Sequence, residues 1–409
     1  MFSISGQIFD QKPSHIIPLL FLLGLAWIVA KTLYLAFFSP LRHVPGPTLA
    51  KITRLWELWT LRQGSFHSKL VELHSKHGPV VRIAPNRYSF DATADLKKIY
   101  SSTADFPKSE FYHAWRPPGE ENLLTFRNKK DHASRKRPIA QLYSMTHLRN
   151  YEEAVDKMNA VLLEKLDQYG RSGELVDLPD ISQLYALDVI GYITMGESFN
   201  VLERGRKGNV LLQKIENNPK YSVQAGLFPE LHPWFYYLTK PFATPTARIT
   251  ADTATTKIQE FRNGGISSDE SLGFESFLSK LIRMEDAGKV DSLSSFDAVG
   301  SNIFAGSDTT GITLSAAFYL LYTNPEKLRK LRDEMDEAAQ NGALSQMATF
   351  AETKTLSYLQ AVIKEVLRMH PPVSVILPRE VPHGGAELGG YFFPEKVMMR
   401  PLTIQIEIS

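Results

Sequence analysis

Cysteine is absent from this 409-residue chain. Its absence excludes disulfides, zinc–thiolate sites, iron–sulfur clusters and cysteine nucleophiles. A strong net charge is also lacking, because the formal net charge at pH 7 is only +2. A globally basic surface for nucleic acid therefore has no support, and any basic surface must be local. The chain also contains no internal repeat and no low-complexity tract.

What is present has the balance of an ordinary globular protein. The hydrophobic fraction is 43% and the charged fraction 22%, which allows a sizeable buried core in one large domain or two ordinary ones. Between about residues 92 and 340 most segments have a helical period. Residues 371–395 are rich in proline and glycine and indicate short strands and turns. The sequence therefore predicts a mainly α fold with a small β portion.

A long apolar run lies near the N-terminus, from Ile16 to Phe38. As a helix, this run is roughly 35 Å long, enough to cross a bilayer core of ~30 Å. A cleaved signal peptide and a buried core helix are the alternatives. Against a signal peptide, Lys12 is the only Lys or Arg residue before the run, and no small-residue cleavage site follows it. We expect an uncleaved transmembrane helix, with residues 1–15 in the lumen and the remaining chain in the cytosol.

Local signals follow this run. Residues 39–63 are predicted to form a proline-rich hinge and linker, because Pro45–Pro47 cannot continue a helix. Apolar residues at helical spacing predict a helix over 64–77. Val80–Ile83 and Arg87–Phe90 are separated by a Pro-Asn turn and predict a short hairpin.

Polar residues interrupt a second apolar run at Phe304–Gly311, where two glycines, an aspartate and two threonines occur together. Such residues are costly in a buried helix, because glycine loses about 1 kcal/mol against alanine and buried polar groups need partners. The threonines could bond back to carbonyls four residues earlier and bend the helix. Alternatively, the small residues open a groove where Asp308 and Thr309 pass protons to a bound species.

A charged pair lies in the segment from Tyr358 to Pro372, which has the pattern of a helix stopped by two prolines. Glu365 and Arg368 are three residues apart and therefore share one helix face. A solvated pair of this kind contributes ~0.2–0.5 kcal/mol. The surrounding apolar residues instead favour a largely buried helix, in which the pair would need further hydrogen bonds.

Together these two segments resemble the cytochrome P-450 family. Ala-Gly-x-Asp-Thr-Thr at 305–310 is followed about 55 residues later by Lys-Glu-x-x-Arg-x-His-Pro-Pro at 364–372. The anchor, the hinge and the strand at 78–82 resemble microsomal members from fungal specialised metabolism. The resemblance implies a haem-dependent monooxygenase that inserts oxygen into an apolar small molecule in secondary metabolite biosynthesis. It also implies a single-pass protein of the endoplasmic reticulum membrane, with a cytosolic catalytic domain and an NADPH-dependent flavoprotein reductase as partner.

The resemblance assigns roles to single residues. Thr309 would contact the bound dioxygen and Asp308 would relay protons, which makes them the predicted catalytic residues. Glu365 and Arg368 would form a structural pair that locks the haem-binding core. The apolar substrate pocket would be lined by three segments, residues 111–126, 296–305 and 373–377.

His132, Lys136 and Arg379 are the residues that the resemblance assigns to the haem propionates. The family usually has arginine where Lys136 stands, and lysine keeps the charge but loses the bidentate fork. His132 and Lys136 lie in a segment with six Lys and Arg residues between Arg127 and Arg137. Such a segment is a solvated helix face or a nucleic-acid patch. In an anchored cytosolic domain, the resemblance favours docking of an acidic reductase over nucleic acid.

The resemblance ends after Glu395. Family members continue with Phe-x-x-Gly-x-Arg-x-Cys-x-Gly and a final helix, whereas residues 396–409 match no part of that pattern. No residue is therefore assigned as a metal ligand, since the thiolate that promotes O–O cleavage is missing. We expect residues 64–395 to form an incomplete domain and residues 396–409 a divergent tail. This incomplete domain is expected to fold poorly and to be catalytically incompetent, and its binding of haem is in doubt. The alternative is a non-catalytic, truncated, membrane-anchored protein with at most a partner-binding role.

Overall fold

The computed structural model describes residues 16–34, 38–91, 93–101, 103–207, 209–239, 255–256, 258–264, 273–373 and 377–401. These residues belong to two compact units. The first comprises the chain up to Phe106 and the stretch from Leu377 to Leu402, and most of the second lies between Pro107 and Ile376. Helices dominate and the strands are few and short, so the prediction of a mainly α fold with a small β portion is confirmed. That residues 64–395 form one domain stays a prediction.

The first unit combines short helices with small sheets. Its helices are α1 (Ile16–Leu33), α2 (Thr48–Ile52), α3 (Leu55–Arg62), α4 (Phe66–His77) and α5 (Thr93–Tyr100). Its strands are β1 (Val80–Ala84), β2 (Arg87–Phe90), β3 (Arg379–Glu380), β4 (Ala386–Leu388), β5 (Tyr391–Phe393) and β6 (Met398–Pro401). Four strands form one sheet in the order β1-β2-β6-β3, and β4 pairs with β5 in a second sheet.

The predicted hairpin and the helix before it are confirmed. Strands β1 and β2 pair antiparallel, and α4 covers most of the predicted helical segment. Gly78 ends α4 with a φ of 90°, a conformation that glycine adopts without steric cost. Strand β6 lies between β2, to which it is parallel, and β3, to which it is antiparallel. Part of the predicted divergent tail is therefore an inner strand, and residues 402–409 lie outside the described residues.

The core of the first unit forms where these strands present apolar side chains to α5 and to one another. The ring of Phe393 contacts those of Tyr88 and Phe90 edge-to-face, with centroids 5.1 and 5.4 Å apart. This geometry suits the quadrupoles of aromatic rings and adds about 0.5–1.5 kcal/mol per pair beyond burial. The hairpin and the Phe393 strand are thus joined by side chains from opposite ends of the chain.

Buried charges occupy another part of this unit. Glu57 of α3 and Arg87 of β2 form an ion pair of 2.9 Å, and their side chains are only 0% and 7% exposed. Arg400 of β6 is also buried, and its Nε and Nη1 atoms have no hydrogen-bond partner. Burial lowers the pKa of Arg400 to about 10. Its guanidinium lies 4.5 Å from the ring of Phe66, a contact that offsets part of the desolvation cost.

Helix α1 lies within the run that was predicted to cross a membrane. It has 18 residues, about 27 Å of helix, against ~30 Å for a bilayer core. Within the described part of the chain, no helix is long and apolar enough to cross a membrane. The prediction of a transmembrane helix over residues 16–38 is therefore not supported, although residues 35–37 lie outside the described part.

The second unit is almost entirely helical. Its helices are α6 (Lys129–Ile139), α7 (Met145–Leu148), α8 (Glu152–Ser172), α9 (Leu178–Met195), α10 (Val201–Arg204), α11 (Val210–Gly226), α12 (His232–Thr239), α13 (Phe277–Asp286), α14 (Ser292–Tyr322), α15 (Pro325–Gln340), α16 (Phe350–Thr353) and α17 (Ser357–Met369). The core of this unit lies between α8, α9, α11, α13 and α14. The longest of these helices, α14, contains the whole Phe304–Gly311 motif.

Two glycines of this motif bring α14 close to α9. A Cβ atom on Gly306 would lie 2.7 Å from the side chain of Ile190, and one on Gly311 would lie 2.8 Å from the Cα of Gln183. Real Cβ atoms essentially never approach other atoms so closely. At Gly311 the obstacle is backbone, which cannot rotate away. The motif therefore has glycine here because two helix backbones need the space.

Substitution of Gly311 tests this packing. Gly311→Ala should destabilise the chain by about 1–3 kcal/mol, because the added methyl group forces α9 away from α14. Gly300→Ala, in the same helix but with open space around the added methyl group, should be neutral or stabilising by up to about 1 kcal/mol. Urea unfolding of both variants measures the difference. Equal effects of the two substitutions would show that close packing does not constrain Gly311.

A second matched pair tests the buried charges of the first unit. Arg87→Met should cost about 3 kcal/mol, because it leaves the carboxylate of Glu57 buried without its ion-pair partner. Arg400→Met should cost less than Arg87→Met, because it removes two unpartnered donors together with an attraction to Glu57 that lacks a hydrogen bond. Urea unfolding monitored by circular dichroism compares the two variants. A larger loss for Arg400→Met would contradict the assignment of Arg87 as the partner that Glu57 requires.

Candidate functional site

Hydroxyl groups along α14 bond to the helix backbone. The Thr309 hydroxyl donates to the carbonyl of Ala305 at 2.8 Å, and the Ser307 hydroxyl donates to that of Ile303 at 2.9 Å. This is the back-bonding that was one interpretation of the motif. It leaves the lone pairs of the Thr309 oxygen available, since a hydroxyl both donates and accepts. Thr309 can therefore still accept a hydrogen bond from a ligand.

Asp308 lies beside a cavity of about 520 Å³ in the second unit. Its walls come from α9, α14 and the end of α17, and the lining residues are Pro179, Gln183, Asp308, Gly311, Ile312, Ser315, Ala316, Tyr319, Leu320, Met369 and His370. The volume is within the usual range for small-molecule sites. Most of the lining is apolar, so the few polar groups would set the orientation of a ligand. The alternative interpretation of the motif, a groove beside the acidic residue, therefore has a structural counterpart.

The environment of Asp308 favours its neutral form. Burial raises the pKa of the Asp308 carboxyl, and the negative charge of Glu216 raises it further. The carboxylate accepts a hydrogen bond from the amide nitrogen of Gln183 at 3.2 Å. A carboxyl whose pKa is moved towards neutrality can both give and take a proton. This property is the one that the predicted relay role requires.

Sequence reasoning did not identify Gln183 or its partner Arg206. Arg206 donates hydrogen bonds to Gln183, Asp180 and Glu216. These four residues come from α9, the turn after α10, and α11, and they belong to no motif. Only the three-dimensional arrangement brings them to Asp308, so the sequence contains no signal for this network.

Glu365 and Arg368 lie on one face of α17 and pair through two hydrogen bonds of 2.6 and 2.7 Å. Their side chains are 58% and 40% exposed. Val366 is the buried residue of this helix, so the prediction of a largely buried helix is wrong. An exposed pair contributes about 0–1 kcal/mol. Its role as a lock for a haem-binding core stays a prediction.

The residues predicted to contact propionates fall in both units. His132 is half-buried and Lys136 is exposed on α6, which the side chain of Asn128 caps. The neighbouring Arg135 forms an ion pair with Asp291 at the start of α14. Arg379 belongs to the first unit, where its guanidinium lies 5.3 Å from the ring centre of Tyr100. The propionate role of His132, Lys136 and Arg379 stays a prediction.

Two of the three segments predicted to line a substrate pocket meet in the second unit. Phe111 and Tyr112 are buried, and Arg116 pairs with Asp297 of α14 at 2.5 Å. Burial raises the pKa of Asp297 even though the Arg116 charge lowers it. The region thus contains a polar pair where only apolar residues were expected. In the third segment, residues 374–376 lie outside the described part of the chain.

The residues present do not fit a thiolate-ligated haem, because the chain contains no cysteine. Histidine offers no substitute at the two most buried positions. Both ring nitrogens of His74 and of His232 hydrogen-bond to protein atoms, and burial lowers the pKa of both. Among the described residues, no three His, Asp or Glu side chains cluster as a metal site. The cavity is lined by the carboxyl of Asp308 and by the hydroxyl-bearing residues Ser315 and Tyr319, whereas Thr309 is not among its lining residues.

Comparison of the sequence with known proteins identifies the family of the chain. The family model for cytochrome P-450 matches residues 45–406. Pisatin demethylase from Fusarium vanettenii is 40% identical over 376 residues, which cover 91% of this chain and 73% of that protein. The cytochrome P-450 monooxygenase cicH from Emericella nidulans is 33% identical, with coverage of 89% and 75%. A cytochrome P-450 monooxygenase from Aspergillus terreus is 34% identical, with coverage of 90% and 78%. The chain belongs to the cytochrome P-450 family.

Proposed function

We propose that this chain carries the oxygen-handling part of a haem-dependent monooxygenase that inserts one oxygen atom into an apolar small molecule of fungal secondary metabolism. The observation that carries this proposal is the position of Asp308, which lies on the long helix α14 beside a mainly apolar cavity. Relatives named as monooxygenases and as a demethylase support the reaction class.

The residues of this chain would contribute proton handling and enclosure. Asp308 would hold a proton at its carboxyl, and Thr309 would accept a hydrogen bond at its hydroxyl. The apolar lining would exclude water from the reacting atoms. Haem, when bound in the family, supplies the activation of dioxygen. None of the 409 residues supplies the thiolate, so oxygen activation is not assigned to this polypeptide itself.

The proposed electron donor is an NADPH-dependent flavoprotein reductase. Lys130, Lys136 and Arg137 are exposed on or beside α6. A basic surface of this kind steers an acidic partner to its docking site and accelerates the encounter. The nearly neutral total charge gives no comparable support to nucleic acid.

We further propose that α1 holds the chain at a membrane surface, in keeping with the predicted location at the endoplasmic reticulum with the remaining chain in the cytosol. Leu22, Trp27 and Ile28 are between 59% and 70% exposed. Burial of such exposed apolar side chains among acyl chains removes their surface from water, which favours binding to a membrane.

The membrane proposal is tested by flotation with phosphatidylcholine vesicles. Replacing Leu22, Trp27 and Ile28 together by Asp should reduce the floating fraction at least about tenfold, because each apolar side chain contributes about 1.5–3 kcal/mol when buried. Leu175→Asp, at a leucine that is 95% exposed in the second unit, is the control and should float like the parent. Unchanged flotation of the triple variant would refute the role of α1.

The haem proposal is tested with two proteins. The 409-residue chain, purified with added haem, should give no thiolate-type Soret band in the reduced carbon-monoxide difference spectrum, because it has no thiolate. A chimera that continues after Glu395 with the family's Phe-x-x-Gly-x-Arg-x-Cys-x-Gly segment and final helix should give that band. A folded chimera without the band would contradict the monooxygenase proposal. A band from the chain alone would contradict the predicted lack of a thiolate-ligated haem.

A further inference from the structure

The Asp308 carboxylate bonds to a neutral amide, that of Gln183, and the amide in turn bonds to the guanidinium of Arg206. Gln183 Nε2 donates to Asp308 Oδ1 at 3.2 Å, and Arg206 Nη2 donates to Gln183 Oε1. The described residues thus form a chain from a guanidinium through an amide to a carboxylate. All of them belong to the second unit.

The orientation of the Gln183 amide follows from its partners. A guanidinium only donates hydrogen bonds, so the oxygen of the amide must face Arg206. The NH₂ group must then face Asp308, where it finds an acceptor. An amide flip would place two donors against each other and leave the carboxylate facing an oxygen. Arg206 therefore determines which end of Gln183 reaches Asp308.

Arg206 is itself held in place. Its Nε donates to Asp180 and its Nη1 donates to Glu216, so all three of its nitrogens have an acceptor. The side chain is 36% exposed. Because two carboxylates surround one guanidinium, the three groups together carry a net charge of −1. Arg206 with its two carboxylates therefore does not act on Asp308 as a net positive charge.

The backbone makes the contact with Asp308 possible. At Gly311 the helix α14 has no room for a Cβ, because Gln183 Cα would lie 2.8 Å away. Gln183 is therefore close enough for its side chain to reach the carboxylate one turn earlier on α14. Both residues line the same cavity.

We propose that Gln183 is a positioning residue for Asp308: it fixes the carboxylate at the cavity wall and keeps Arg206 from pairing with it. This inference rests on the proposed function, in which Asp308 handles protons. A direct ion pair with Arg206 would hold the carboxyl ionised and would lower its pKa by about 1–3 units. With an amide between them, burial and the charge of Glu216 raise the pKa instead.

The charged and titratable groups around Asp308 come from several elements. Asp180 lies on α9, Arg206 follows α10, Glu216 lies on α11, and His370 follows α17 at the cavity. Because the folded pKa of Asp308 is above the unfolded value, the carboxyl contributes its stability at low pH. That contribution is fully present below the unfolded pKa and is lost as the pH rises through the folded one.

The experiment is a titration of the full chain that is selectively labelled with ¹³C at the aspartate carboxyls. The Asp308 signal is assigned as the one that Asp308→Asn removes. Gln183→Glu adds a negative charge beside the carboxylate and should raise the Asp308 midpoint by about one pH unit or more. Gln183→Lys places a cation there and should lower it by a similar amount. Gln183→Met still separates Arg206 from the carboxylate by a side chain of similar length but removes the hydrogen-bond donor, so it should give a smaller rise.

The opposite directions of the midpoint shifts expected for Gln183→Glu and Gln183→Lys distinguish positioning of Asp308 from a purely structural role of Gln183. Loss of structure alone would move the Asp308 midpoint in one direction, towards the value of an unfolded chain. Gln340→Glu, at an exposed position that ends α15, is the charge control and should leave the midpoint unchanged. If Gln183→Glu and Gln183→Lys shift the midpoint in the same direction, or not at all, the proposal is wrong.

Far-UV circular dichroism establishes that each variant folds. If Gln183→Lys does not fold, Arg206→Met gives a second test with the same readout. Removing the guanidinium frees the amide to rotate and removes a positive charge, so the Asp308 midpoint should rise. An unchanged midpoint in Arg206→Met would overturn the inference. The titration needs no haem, so its failure is distinct from a failure of the monooxygenase proposal, which the carbon-monoxide spectrum reads.

Discussion

Close contact between α9 and α14 is the constraint on which the second unit depends. The two helices approach so closely that a Cβ on Gly311 would meet the backbone of Gln183, and one on Gly306 would meet the side chain of Ile190. This approach packs the partly buried Ile190 against the core and places Gln183 beside Asp308. Gln183 of α9 and Asp308 of α14 both line the cavity beside this contact. The contact that packs the two helices together therefore also determines the surroundings of Asp308.

The sequence predicted best what local chemistry decides. The hairpin of β1 and β2 follows from a Pro-Asn turn between two apolar segments, and α4 follows from apolar spacing that ends at Gly78. Each signal lies within a few residues of the element that it defines. The long helix α14 was likewise predictable from its apolar run, as was the position of Asp308 and Thr309 within it.

What the sequence did not reveal depends on residues that are distant in the chain. Gln183 and Arg206 acquire a role only when α9, α11 and α14 are packed together. The pairing of Arg116 with Asp297 joins residues 181 positions apart. Exposure of Glu365 was mispredicted for a related reason, because an apolar helix face does not reveal how much of it another element covers. Most side chains of α17 are at least partly in contact with solvent, and only Val366 is buried.

The position of β6 inside the first sheet affects how the chain is synthesised. Asn86, beside the hairpin, bonds to the carbonyl of Lys396, which lies 310 residues later in the chain. Ribosomes add about 5–20 residues per second, so roughly 15–60 s separate the emergence of the two partners. During that interval β2 has an unpaired edge on the side that β6 later occupies. An exposed edge of this kind is a template for pairing with other chains, so the nascent chain carries an aggregation-prone edge until β6 emerges.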